Sequence, residues 1–303
     1  MPTHSPMPLE KCLAELKKDR CTLPAFVVEG SDDARIYTWV LQALGLSSYQ
    51  VKIVKASTKG DLLQIYEAVD ENRDSYADFP IVFIADLDMF LFEGVPSEYN
   101  GVVFTNGYSI ENDLYSFANL EELLDPMSER ENHKKVLDTI IEWFAFEIQE
   151  YQAGRYSKIA RNLEEIVPED GTTMDPEFLK YLRECRGFTS PCQAIHDEIK
   201  KDYKLKLRGK ILFEILNRFL CHKNRKYKYS KIHLFEIAIR KPDDSTLKDK
   251  LIKKIRCKLN DEKQKLAACA PKKAPGRERL TIYANPHRIR EDIPKWSEIQ
   301  DRV

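Results

Sequence analysis

Four short apolar runs punctuate the first third of the chain. Ala25-Phe26-Val27-Val28 is rich in strand formers and stops at Glu29-Gly30, and Pro80 to Ala85 is apolar throughout and stops at Asp86-Leu87-Asp88. Runs of this length read as buried strands. Tyr49 to Val54 alternates as a strand does, and Gly101 to Phe104 supplies a fourth strand. Between these runs the spacing turns helical. Ile36, Trp39, Val40 and Ala43 mark a helix over Ala34 to Leu44, Lys59-Gly60-Asp61 opens another through Val69, and an amphipathic helix over Leu9 to Lys18 precedes them all. Strands that alternate with helices predict crossover connections and a parallel sheet.

From Leu120 onward strand signals largely stop. Helical periodicity is clearest over Lys135 to Ile148, Phe178 to Arg183, Leu205 to Leu220 and Thr246 to Ala268. The expected fold class is α/β: a parallel-sheet domain over residues 1–118, then a mainly helical C-terminal region over 119–303. The stretch from Pro271 to Val303 is rich in proline and charge and reads as an irregular tail.

Composition adds one decisive feature. The 303 residues carry a net charge of −1, but residues 1–115 hold 9 basic against 18 acidic side chains, residues 116–199 the same, and residues 200–303 hold 30 against 13. A basic module on an acidic protein suits a polyanion-binding surface beside a cation-binding centre. The seven cysteines are scattered without a CxxC pair, which argues against a disulfide framework and against a zinc site. Histidines at HxxxH or HxH spacing and a Walker-type glycine loop are both absent, so histidine-metal chemistry and ATP hydrolysis by this chain are not expected. The first residues read as no signal peptide, and no segment approaches the roughly 20 apolar residues of a membrane span. A cytoplasmic protein is expected.

The two acidic motifs matter by position. Glu29 and the pair Asp86 and Asp88 stand at the carboxyl ends of predicted strands, the edge where open α/β sheets bind ligands. If Asp86 and Asp88 both remain extended, their side chains share one face and can grip a hard cation through oxygen, with Leu87 pointing into the core. Asp32 and Asp33 begin a helix, where a carboxylate serves as a cap or as a further metal ligand. Lys59 and Lys210 are candidate phosphate contacts or ordinary solvated lysines. Lys210 gains weight because Arg208-Gly209-Lys210 opens a helix whose amides add to an anion site.

Val27-Val28-Glu29-Gly30-Ser31-Asp32-Asp33, followed by Ile84-Ala85-Asp86-Leu87-Asp88, resembles the TOPRIM pattern of one strand ending in Glu-Gly and a later strand ending in Asp-x-Asp. Tyr108-Ser109-Ile110-Glu111-Asn112-Asp113 and Leu207-Arg208-Gly209-Lys210 resemble motifs of OLD-like TOPRIM nucleases, a bacterial subfamily often encoded beside an ABC-type ATPase. The resemblance implies Glu29 as metal ligand or general acid/base, Asp86 and Asp88 as ligands of Mg2+ or Mn2+ with Asp33 beside them, and Glu111 and Lys210 as further catalytic groups. It further implies an anti-phage effector that cleaves host nucleic acid, tRNA in particular, under control of the ATPase partner and as a homodimer when active. Glu111 also reads as an acidic residue in the first turn of a helix.

His222 to Lys231 interleaves aromatics with cations, and Arg208, Arg225, Lys226, Tyr227 and Lys228 join Lys59 as candidate nucleic-acid contacts. A plain basic helix connection gives the same pattern. The lysines from Lys248 to Lys265 form a second cationic surface, unless the stripe of Leu251, Ile252, Ile255 and Leu259 makes this mainly a packing helix. Three functions compete: a metal-dependent nuclease, a non-catalytic module docking on an ATPase, and a topoisomerase- or primase-like enzyme, for which no further feature argues.

Overall fold

The computed structural model describes residues 9–18, 24–30, 33–34, 36–38, 40, 51–76, 79–124, 128–155, 158–220 and 246–269. Among them β1 (Ala25–Val28), β2 (Lys52–Lys55), β3 (Ile81–Ala85) and β4 (Val103–Phe104) form one sheet in the order β2-β1-β3-β4. Every pairing is parallel, with Val28 opposite both Lys55 and Ile84. β1 and β3, the central strands, are buried on both faces. Phe26, Val28, Val82 and Ile84 enter one hydrophobic cluster, and Ala25, Val27, Ile81, Phe83 and Ala85 enter the other. That alternation is the period of two of a pleated strand, and burial of both faces explains why the sequence shows unbroken apolar runs.

Helices α1 (Leu9–Lys18) and α2 (Lys59–Glu71) cover the second face. The Thr58 hydroxyl caps α2 by accepting from Asp61 N at 3.1 Å. Residues 33, 34, 36–38 and 40 are helical, in line with the helix expected over 34–44, whose remaining residues lie outside those described. A short helix, α3 (Phe90–Glu93), follows the Asp-x-Asp segment, and α4 (Ile110–Ala118) begins at the acidic edge of the sheet.

The remainder is helical, as expected: α5 (Ser128–Gln152), α6 (Pro176–Arg186), α7 (Gln193–Lys201), α8 (Tyr203–Lys206), α9 (Gly209–Leu220) and α10 (Thr246–Cys269). The cluster on the first sheet face continues through Trp143, Phe144, Leu212 and Leu216 into this region. Glu147, fully buried, accepts from Trp143 Nε1 at 3.2 Å, from Arg186 at 2.9 and 3.2 Å, and from Lys158 N at 3.1 Å. Those four donors offset the cost of burying the carboxylate and pin the segment after residue 158 to α5 and α6.

Two sequence expectations change. The continuous helix expected over 205–220 is broken, because Leu207 is extended (φ −74°, ψ 152°) and a new helix starts at Gly209. The lysine-rich helix α10 packs against β3, β4 and α4. Leu251, Ile255 and Leu259 lie in the first core, Lys254 Nζ donates to Phe104 O at 3.1 Å, and buried Glu262 pairs with Arg73, Lys258 and Lys265. Ile255→Ala removes fully buried methyl groups from this contact and should cost about 2–4 kcal/mol of unfolding free energy in chemical denaturation. A loss below about 0.5 kcal/mol would show that α10 does not contribute to the core. Among the described residues no helix is long and apolar enough to cross a membrane.

Candidate functional site

The carboxyl edge of the sheet opens into a cavity of about 440 Å³. Glu29 and Asp86 follow β1 and β3 and meet directly, since Asp86 N donates to Glu29 Oε1 at 2.7 Å. Asp86 Oδ1 accepts from Ile110 N, at the start of α4, at 2.8 Å. Glu111, the next residue of α4, is buried and lines the same cavity with Glu29, Asp33, Asp86 and Asp88. A backbone amide thus orients each strand-end carboxylate, and α4 turns a fourth acid onto the same edge.

Asp86 and Asp88 do not share a face of one extended strand, as the sequence suggested. The chain leaves the sheet after Ala85, and Asp88 takes a left-handed conformation at φ +46°, which aspartate tolerates better than most residues. Leu87 N donates to Thr105 Oγ1 at 3.1 Å and Asp88 N to Tyr108 O at 2.7 Å, so the loop after β4 holds the turn. Leu87 itself packs on the second cluster.

Lys59 belongs to this turn. Its Nζ donates to Leu87 O at 2.7 Å, lies 3.6 Å from Asp88 Oδ2 and sits 3.9 Å from the Phe90 ring centroid. The ammonium expected to contact nucleic acid is thus engaged in holding the Asp-x-Asp segment. Asp33 Oδ2 accepts from Gly30 N at 2.8 Å, a local turn contact of the capping kind, while the side chain also lines the cavity.

The helical region completes the wall. Arg208 and Lys210 line the cavity opposite the acids, together with Ile159 and Ala160. Arg208 Nη1 donates to Arg161 O at 2.8 Å. The join is made by Asn112, fully buried, whose Nδ2 donates to Lys204 O at 2.9 Å and Leu207 O at 2.6 Å while its Oδ1 accepts from Ser109 N at 3.0 Å. Asp113 accepts from Asn106 N and Gly107 N and shapes the loop below. Only the Ser-Ile-Glu-Asn-Asp motif hinted at these supports; no spacing in the sequence could show that Asn112 reaches 95 residues onward. Arg225, Lys226, Tyr227 and Lys228 lie outside the described residues.

Neither protein-family models nor curated protein sequences match this chain.

Electrostatically the site holds more negative charge than it neutralises. Burial, opposed by the hydrogen bond from Asp86 N, lifts Glu29 from its ordinary 4.5 to about 8. Burial and then the charges of Glu29 and Glu111 push Asp86 well above the carboxylate range, and burial raises Asp88 despite Lys59. Glu29 therefore keeps its proton in the folded chain between pH 4.5 and about 8 while the unfolded chain has lost it. The folded state binds more protons, so stability falls as pH rises through that interval, by an amount on the order of a few kcal/mol. Thermal midpoints of metal-free protein from pH 5 to 8 should decline, and Glu29→Gln should flatten the decline. An equal decline in both proteins would remove Glu29 from the explanation.

Among the described residues, no group of three or more His, Cys, Asp or Glu forms a ready-made metal cage. The donor chemistry nevertheless fits a hard cation: the acids are oxygen donors, buried, mutually repelling and only partly offset by Lys59, Arg208 and Lys210. Magnesium keeps most of its waters and asks a protein for only one or two carboxylates.

Proposed function

We propose that this chain is a divalent-metal-dependent nuclease of the TOPRIM type. One observation carries the reading: four carboxylates, Glu29, Asp86, Asp88 and Glu111, share a cavity at the carboxyl edge of a parallel sheet with the cations Arg208 and Lys210. Acids to hold a metal and bases to hold a phosphate, converging on one cavity, match phosphodiester chemistry more closely than they match a docking surface, which has no need of buried, unneutralised acids.

Asp86 and Asp88 would hold Mg2+ or Mn2+, with Glu29 beside them. Bound there, the ion would supply neutralisation of the phosphate charge and a water of lowered pKa. Glu29, with Oε1 held by Asp86 N, keeps Oε2 to take or give a proton, and a value of about 8 suits transfer near neutral pH. Lys210 and Arg208 would orient the phosphate, and Ile159 with Ala160 would limit water on that side. The resemblance to AriB, the effector of the PARIS anti-phage system, extends the proposal to tRNA as substrate, an ABC-type ATPase as partner and a homodimer as the active form.

The test is cleavage by purified protein of tRNA, other structured RNA and DNA with Mg2+ or Mn2+, followed by sequencing of the ends. Discrete, EDTA-sensitive ends in one tRNA class are expected. Intact RNA with nicked DNA would replace the substrate, and inert nucleic acid under all conditions would favour the non-catalytic docking module.

A further inference from the structure

A second cavity, of about 420 Å³, lies in the helical region beside the start of α5. Its apolar floor is Leu124, Leu137 and Ile141, all buried. His133 lines it at 5% exposure, and its Nε2, shielded from solvent, has no hydrogen-bond partner. Leaving such a nitrogen unpaired is costly, so the atom marks a place where something else supplies the bond.

The charges around the cavity divide into two sets. Asp138 is paired with Lys200 at 2.9 Å, and Glu121 accepts from Tyr203 at 2.6 Å and Tyr115 at 3.0 Å and faces Lys204 at 3.3 Å. Arg130 and Lys134, one helical turn apart on α5, line the cavity, are exposed and have no ion partner among the described residues. The surplus at the mouth is therefore positive, above an apolar floor and one unpaired imidazole. Small-molecule sites combine such an apolar lining with a few convergent polar groups at volumes of about 300–1,000 Å³.

We propose that this cavity binds a small organic anion, its flat or apolar body on Leu124, Leu137 and Ile141, its charge held by Arg130 and Lys134, and a polar atom bonded to His133 Nε2. Burial lowers the His133 pKa, so the ring meets its ligand as neutral imidazole and can donate or accept by choice of tautomer. The site shares no residue with the acidic cavity. It stands whether or not the chain is a nuclease.

The probe is 8-anilinonaphthalene-1-sulfonate, an aromatic body with one anionic group, titrated onto the full chain by fluorescence. Saturable binding at one site is expected, weakened at least about tenfold by the exposed double substitution Arg130→Glu with Lys134→Glu, and unchanged by Lys210→Ala in the other cavity. In the unsubstituted chain the His133 imidazole nitrogen resonances should shift as the probe binds. Non-saturable binding, affinity indifferent to the charge reversal, or unmoved His133 resonances would each overturn the proposal.

Discussion

Replacing Asp86 by Asn, or Glu29 by Gln, is expected to abolish cleavage while making the metal-free protein more stable. Both substitutions keep the shape of the side chain and its role as acceptor for Ile110 N or Asp86 N, and remove only ionisable character. As Asp86 is pushed up by burial and by Glu29 and Glu111, a neutral amide relieves a real cost in the folded state. A gain of about 1 kcal/mol would raise Tm by roughly 2–4 °C in a protein of this size. Cleavage should fall by about three orders of magnitude, the scale found when one of several groups acting as a unit is removed. Activity lost together with stability would point to simple misfolding, and activity retained in both variants would eliminate the acidic edge as the catalytic centre.

The second large effect is expected at Gly209. A Cβ there would lie 2.5 Å from Ser109 Oγ, 2.6 Å from Glu111 Cβ and 2.7 Å from Asn112 Oδ1. Those atoms belong to the packed, hydrogen-bonded start of α4 and have little freedom to retreat, so Gly209→Ala must displace α9 from the acidic edge. Overpacking of this kind costs about 1–3 kcal/mol, with more if the Asn112 bonds to Lys204 O and Leu207 O break and leave buried groups unpaired. Chemical denaturation should show the loss, and cleavage should fall further than stability explains, because Lys210 and Arg208 move away from the carboxylates. Gly60→Ala is the control: its nearest neighbour would be Thr58 Oγ1 at 3.7 Å, and in the first turn of α2 the change should be neutral or mildly stabilising. Equal midpoints for Gly209→Ala and the unsubstituted chain would mean the two segments are not locked together.

These two positions mark how far the sequence was legible. Glu29 and Asp86 were readable because each ends an unbroken apolar run, and a run buried on both faces of a parallel sheet must deliver its last residue to the carboxyl edge. Gly209 was visible only as part of a motif. Its reason is a close approach between residues 97 or more positions apart in the chain, and no local pattern of apolar and polar residues encodes such an approach. Lys59 reads in sequence as a solvated cation, and only three-dimensional proximity to Leu87 O, Asp88 and Phe90 turns it inward. The lysines of α10 belong to the same class. Charge along a helix is counted easily, but which of its faces meets β3 and α4 depends on the partner.

Local chemistry by itself therefore determined the parallel α/β sheet, the helical remainder and the strand-end acids, since strand propensity, period and burial act over a few neighbouring residues. Tertiary structure alone decided the left-handed turn at Asp88, the break before Gly209, and the meeting of Glu111 with Arg208 and Lys210 around the carboxylates of β1 and β3. Those features come from hydrogen bonds and steric limits between segments far apart in the chain, whose energies exist only once both segments are in place.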